Sequence, residues 1–580
     1  MGAMAEREVT TVEVLSEGWV HQESLKAGPT SMDAVDGTNL PVADAIALEG
    51  VVEEQPPSME EALPVHVISK IINKVKDARD LANCMATSKT LHESVQHVKS
   101  LSLLCRKRYY DLARERFPVR RPYCLFSDDD EGDETGSDDS DDSEEEEDDI
   151  MCEWSAITAL RAEHGVGPPT NAISSSSKQL PVHVSFKNAC LNMLRHVKKV
   201  EQLRIEVDME MQANMFEKEE IHMVDFWLSE PMFVRKWVSL CSHTLRHLTV
   251  VDYGQQAIMR QSPIVRVLSE TCKNLQHLEL RNMYLDTNDL EVLPKVQSLT
   301  LRCIKMTDKS LTDINNAMPG LITLALVSVF GVQEARLSSQ NLQVLCLGLS
   351  TSARTVDLDL PSCTKLQLKM TCPDSLRVHA PKLAYVAVCM EKRDNAVVEF
   401  DNVHNLKELL FGASHFQTLS KLMRTNPNLE KIFLDVPCMA LGEDGNWEGV
   451  LDQIPRNLPD IEALKESCPV LQTLSVGPGL WHSMEEAFIS NQQLALFRRW
   501  PALSKLIIHL VVQSLESCIA VLQCLVAAMP SLEWLEVYVH LDSPVPPQLF
   551  SAVCRERLLG VRTLQLGTWK RSLNFTCFSF

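Results

Sequence analysis

His92-Glu93 followed by His97 has the residue types of a zinc hydrolase, two imidazoles for the metal and a carboxylate to activate water. The histidines are five positions apart rather than four, so a helix turns them off a common face. Gly477-Pro478-Gly479 could begin a phosphate-cradling turn, but the further glycine and the basic residue of a phosphate loop are missing. There is no Cys-x-x-Cys pair for a structural metal. These patterns predict no enzyme, no cofactor and no metal site. Two modification patterns remain. Cys577-Phe578-Ser579-Phe580 has the spacing of a prenylation box, with Lys570 and Arg571 upstream, yet Phe578 and Ser579 are not its aliphatic pair. A plain packed or frayed end is the expectation there. Ser137, Ser140 and Ser143 sit among acids, where an acid-directed kinase would add further negative charge.

Those serines lie in the segment that dominates the charge. The chain carries a formal −22, and every residue of the block Asp128–Asp149 that is charged is Asp or Glu. Without that block the remainder is only mildly acidic, so the charge describes a segment and not a folded surface. Self-repulsion and the lack of apolar residues forbid a core there. It reads as a solvated spacer, or as a segment that folds back on a basic surface until a target competes. The 18 cysteines are scattered without paired spacing and follow no secretory signal, which predicts reduced thiols in the nucleus or cytoplasm. Apolar runs such as Leu321–Val332 are too short to span a bilayer, and Glu6 stands where a myristoylation motif needs Ser or Thr. Neither a membrane nor a nucleic-acid partner is expected.

The elements that must position any binding residues come from one recurring pattern, L-x-x-L-x-L, with Ile, Val, Phe or Cys as substitutes. It runs from Val200/Leu203/Ile205 through Leu275/Leu278/Leu280, Leu342/Leu345/Leu347 and Leu406/Leu409/Phe411 to Val561/Leu564/Leu566, fourteen copies in all. Most copies start 20 to 32 residues apart, the period of a leucine-rich repeat. Pro319, Pro381, Pro427, Pro469, Pro501 and Pro530 each stand two residues before a copy, where they end a helix and prepare a strand. Alternation along each strand sends the last two apolar residues into the core and their neighbours to a concave face. The wide gap between Leu429 and Leu471 predicts a loop insertion around 440–455.

A second signal precedes the repeats. Ile68, Ile71, Ile72 and Val75 fall at i, i+3, i+4 and i+7, one apolar helix face. Asp77 and Asp80 frame a restart, after which Leu81, Cys84 and Met85 repeat the spacing. The expected class is α/β, a small helical domain followed by an irregular solenoid with a parallel concave sheet. The boundaries read as a lead-in at 1–57, the helical domain at 58–105, and a helical connector at 106–126. An acidic and Ser-rich linker at 127–179 then leads to the solenoid at 180–580.

Leu63-Pro64, the apolar run to Val75, Arg79-Asp80-Leu81, Cys84 and Ser88-Lys89 resemble the F-box. Ser88 stands where the family usually has Cys, and Leu91 where it has Trp. The stretch Leu358-Asp359-Leu360-Pro361-Ser362-Cys363 through Leu383 resembles plant members that join an F-box to leucine-rich repeats. The resemblance implies that the helices dock on a Skp-type adaptor, and through it on a cullin scaffold. Leu63, Pro64, Val67, Ile68, Ile71, Leu81 and Cys84 are then the candidates for adaptor contact or for the F-box core, two roles the sequence leaves unseparated.

The repeats would hold the target. Just after the final apolar residue of a copy stand Arg281, Arg302, Lys369, His509 and Tyr538, and neighbouring columns add His247, His277, Lys365, Lys431, Lys505 and Trp534. The cations suggest a basic stripe for an acidic or phosphorylated segment. Trp534 with Tyr538 suggests an aromatic anchor. The expected function is target selection for a Skp–cullin–F-box ubiquitin ligase. The alternative is a non-ligase leucine-rich-repeat protein that binds basic partners through its acidic segment.

Overall fold

The computed structural model describes residues 65–107, 185–208, 225–252, 256–391, 396–412, 416–434, 461–491, 500, 502–541, 543–558 and 560–569. The loop insertion expected at 440–455, the acidic block, Ser137, Ser140, Ser143 and Cys577 lie outside the described residues.

Three helices open the described chain, α1 (Val65–Ile72), α2 (Ala78–Thr87) and α3 (Lys89–Val95). Asp77 caps α2 by accepting the Arg79 amide, and Ser88 caps α3 by accepting that of Leu91. An Asp or Ser oxygen at this place satisfies an amide that the helix cannot. The strands follow. The first ten are β1 (Ser100–Cys105), β2 (Gln202–Val207), β3 (His247–Val251), β4 (Gln261–Ser262), β5 (His277–Leu285), β6 (Ser298–Lys305), β7 (Thr323–Val329), β8 (Glu334–Ser338), β9 (Val344–Leu349) and β10 (Thr355–Asp359). The second ten are β11 (Lys365–Thr371), β12 (Ser375–His379), β13 (Tyr385–Glu391), β14 (Val397–Asp401), β15 (Glu408–Gly412), β16 (Lys431–Leu434), β17 (Thr473–Val476), β18 (Lys505–Leu510), β19 (Trp534–His540) and β20 (Thr563–Trp569).

Sixteen of these form one long sheet, ordered from β1 at one end to β20 at the other, with short β4 paired beside β5. Each of the fourteen copies of the sequence pattern supplies one of its strands. All the pairings are parallel and keep the pattern in register, as in Leu278 opposite Leu299 and Leu280 opposite Leu301. The two final apolar residues are buried in nearly every copy, and so is the first, which turns the chain into its strand. The core is therefore a stack of apolar layers, each repeat burying its face against its neighbours.

What covers the other side depends on repeat length. Where copies are 25 residues or more apart a helix fits, as at Asp308–Ala317 and Leu515–Ala528. From β9 to β13 the copies recur at roughly twenty residues, the short end of the repeat range. Along this stretch the other side carries strands, and β8, β10, β12 and β14 form a second parallel sheet. Their alternating sequences show it: Ala335 and Leu337, Val356 and Leu358, and Leu376 and Val378 are buried between exposed or half-exposed neighbours.

The long sheet begins earlier than residue 180. Val98-x-x-Leu101-x-Leu103 is a further copy, and its strand β1, inside the stretch read as the helical domain, pairs in register with β2. The helical unit is fastened to that strand. The Ser102 amide donates to the Lys76 carbonyl at 2.8 Å, and Arg106 bonds the α2 cap Asp77 at 3.0 Å. The segment from residue 108 to 184, with its acidic block, is thus an insertion after the first strand of the solenoid and not a linker ahead of it.

Candidate functional site

Packing divides the F-box candidates. Ile68 and Leu81 are fully buried, and with Ile72 and Val95 they form the core of the helical unit. Ile71 is 41% exposed, although it shares the apolar face of α1 with Ile68. Val67, one turn before Ile71, and Cys84 on α2 are half-buried. The helical unit therefore presents Ile71 and Val67 as neighbours on one helix surface, because residues four apart stack along a helix. Leu63 and Pro64 lie outside the described residues.

The candidates of the solenoid all fall on the concave face, on the two outer of its three columns, which the two buried columns separate from the centre one. The basic stripe differs from its expected form. Arg281 and Arg302 are neighbours on β5 and β6, and both reach Glu279, at 2.6 Å and 3.8 Å. Burial and the Arg281 charge lower the proton affinity of Arg302, and Glu279 opposes them. Val327 on β7 and Gly348 on β9 then occupy the column, and Lys369 follows on β11. The stripe is broken by two small residues. Lys369 is half-buried and has no carboxylate partner among the described residues. Lys365 lies over the Tyr385 ring at 5.2 Å, and Lys431 pairs with Glu408 at 3.5 Å. In the middle of the sheet Ala325, Cys346, Gln367, Ala387 and Leu410 make a buried centre column. Burial pushes the Cys346 thiol up to about 12, against the pull of Arg302, Lys365 and Lys369 around it.

Two stacked pairs mark the ends of this face. His247 and His277 stack at 4.5 Å, and burial together with the His277 and Arg246 charges lowers the pKa of His247. His509 stacks on Tyr538 at 4.9 Å, and burial pushes its pKa down to about 4. Trp534 is 41% exposed with the Lys505 ammonium over its ring, so the expected aromatic pair is one part of a larger group. Glu536 organises that group. It accepts the Tyr538 hydroxyl at 3.0 Å and Lys505 at 2.7 Å, while Gln565 donates to the Tyr538 oxygen. A Cβ on Gly567 would meet the Tyr538 ring at 2.7 Å, so only glycine leaves the ring room to lie there. Glu279, Glu536 and Gln565 were not among the sequence candidates. Period-two alternation could have found them, since each shares a strand face with Arg281, Tyr538 or the neighbouring Gly567.

The leucine-rich-repeat model of the FBD-associated F-box protein At5g56370 matches residues 234–434. The F-box/LRR-repeat protein At4g29420 of Arabidopsis thaliana is 22% identical over 433 residues, which cover 74% of this chain and 80% of that protein. Over these residues the chain is similar to the leucine-rich repeats of plant F-box proteins. F-box proteins generally bind Skp-type adaptors, and F-box/leucine-rich-repeat proteins are typically adaptors rather than enzymes. None of the helices among the described residues is long and apolar enough to cross a membrane.

Proposed function

We propose that this F-box/leucine-rich-repeat protein is the target-selecting subunit of a Skp–cullin–F-box ubiquitin ligase. The observation that carries the reading is the joint between its two surfaces. An F-box helical unit with an exposed Ile71 is hydrogen-bonded directly to the first strand of a sheet whose concave face carries cations and aromatics. An adaptor bound at α1 would then stand at a set distance from a target on the concave face. That is what a lysine on the target needs in order to meet a charged conjugating enzyme. The flanking columns are what the target meets, with Lys369, Trp534 and Tyr538 as its anchors, because the centre column is buried through the middle of the sheet. Buried thiols suit the nucleus or cytoplasm as the compartment.

The test is a comparison of ubiquitin remnants on cellular proteins. Cells expressing the wild-type chain are set against cells with the Leu63→Ala/Pro64→Ala chain and with the Lys369→Glu/Trp534→Ala chain. The reading predicts proteins whose remnants fall in both variants. If every protein that responds to one variant ignores the other, the two surfaces do not serve one ligase.

A further inference from the structure

The backbone lines up the residues that lead into the first strands of the long sheet. The amides of Glu201, Arg246, Gln276 and Gln297 donate to the carbonyls of Lys99, Glu201, Arg246 and Gln276, each one repeat earlier, at 2.8 to 2.9 Å. The turns just before them stack in the same order. The Thr244 hydroxyl donates to the Val200 carbonyl at 2.7 Å, and the Asn274 amide to that of His243 at 3.0 Å. Five repeats thus stand side by side at the edge where β1, β2, β3, β5 and β6 begin.

Along this edge Lys99, Lys198, Lys199, Arg246, Lys273 and Lys295 are all exposed. Lys99 pairs with Glu201 at 2.7 Å and Lys273 with Glu291 at 2.6 Å. Lys295 bonds the neutral Asn274 side chain at 2.7 Å. Lys198, Lys199, Arg246 and Lys295 have no carboxylate partner among the described residues. At the same places in the next three repeats stand Gly320, Ile322, Asn341, Gln343, Ser362 and Thr364, so the cations stop at β6. A folded surface ordinarily intersperses both signs. In a chain of formal charge −22, this run of unpaired cations is a local exception.

We propose that this edge, which begins directly after α3 of the helical unit, binds an acidic segment of a partner protein. Neighbouring strands lie about 4.8 Å apart, so the five span about 19 Å, the length of about six extended residues. The unpaired cations are Lys198, Lys199, Lys295 and Arg246. An ammonium is a point charge that meets a carboxylate from many directions, whereas phosphate recognition draws on the arginine fork. No Phe, Tyr or Trp stands within 96–100, 198–202, 243–247, 273–277 or 294–298 to stack a base. Carboxylates therefore fit the edge better than a nucleic acid does.

The experiment is fluorescence anisotropy of a labelled oligoglutamate peptide at low salt, where surface charges are least screened. The full chain is compared with Lys199→Glu/Lys295→Glu and with Lys421→Glu/Arg424→Glu, the latter on the helix Phe416–Thr425. The proposal predicts binding that weakens about tenfold or more in the edge variant and less than about twofold in the helix variant, with unchanged melting temperatures. Equal loss in both variants overturns it, as does a full chain that binds no peptide. Tighter binding of a single-stranded oligonucleotide of the same charge also overturns it and makes nucleic acid the occupant. Binding that emerges only once residues 128–149 are deleted overturns it in favour of the chain's own acidic run.

Discussion

Two titratable side chains, the half-buried His509 and the buried Glu485, give the solenoid opposite responses to acid. Burial pushes the His509 pKa from 6.5 down to about 4. Between those values the unfolded chain binds a proton that the folded chain refuses, so stability falls as pH drops from 6.5 towards 4. Burial pushes Glu485, on the helix Pro478–Asn491, from 4.5 up to about 7. There the folded chain holds the proton more tightly, so stability is full below 4.5 and is lost as pH rises towards 7. We expect His509→Gln to remove the acid-side loss and Glu485→Gln to remove the loss on the alkaline side of this window. Melting temperatures of the two variants between pH 4 and 7 check both signs. At this scale the sequence was least legible. Ile68 and Ile71 are alike in type and lie on the same helix face, and only the packing of α1 into the helical unit, chiefly against α3, buries one and leaves the other exposed. The basic stripe read from Arg281, Arg302 and Lys369 missed Glu279, which lies within ion-pair distance of two of them and offsets one of their charges.

Elements were legible wherever the apolar pattern repeats, because burial of each copy depends only on its immediate neighbours. All fourteen copies became strands of one sheet. The fifteenth, Val98/Leu101/Leu103, was hidden because the chain leaves the array for the long insertion before the next copy arrives. The convex strands β8, β10, β12 and β14 were only partly legible in repeat length, since the repeat that holds β14 is as long as the next one, which holds the helix Phe416–Thr425. The turn into this stretch depends on Gly331, whose φ is +91° and whose missing Cβ would meet the Met306 carbonyl oxygen at 2.4 Å. Gly331→Ala combines a left-handed conformation with a backbone clash, and we expect a loss of about 1–3 kcal/mol. Chemical denaturation reads this loss directly. An Ala variant as stable as the wild type would mean that the turn reforms another way.

As a whole molecule, the protein joins its helical unit to the long parallel sheet without a free hinge among the described residues between them. The Ser102–Lys76 hydrogen bond, the Arg106–Asp77 pair and the β1–β2 register tie the helical unit to the sheet. The boundary read at residue 180 placed a long linker at this junction; the structure places β1 in the sheet and the insertion after it. Such a joint gives an F-box a defined reach, which a flexible tether would not. The most direct test of this account is titration of a purified Skp-type adaptor into the full chain and into its Ile71→Asp variant. We predict binding to the wild type and at least about a tenfold loss in the variant, about 1.4 kcal/mol, with the melting temperature unchanged. Equal binding by the variant, or no binding by the wild type, would contradict the claim that α1 is the adaptor-facing end of this molecule.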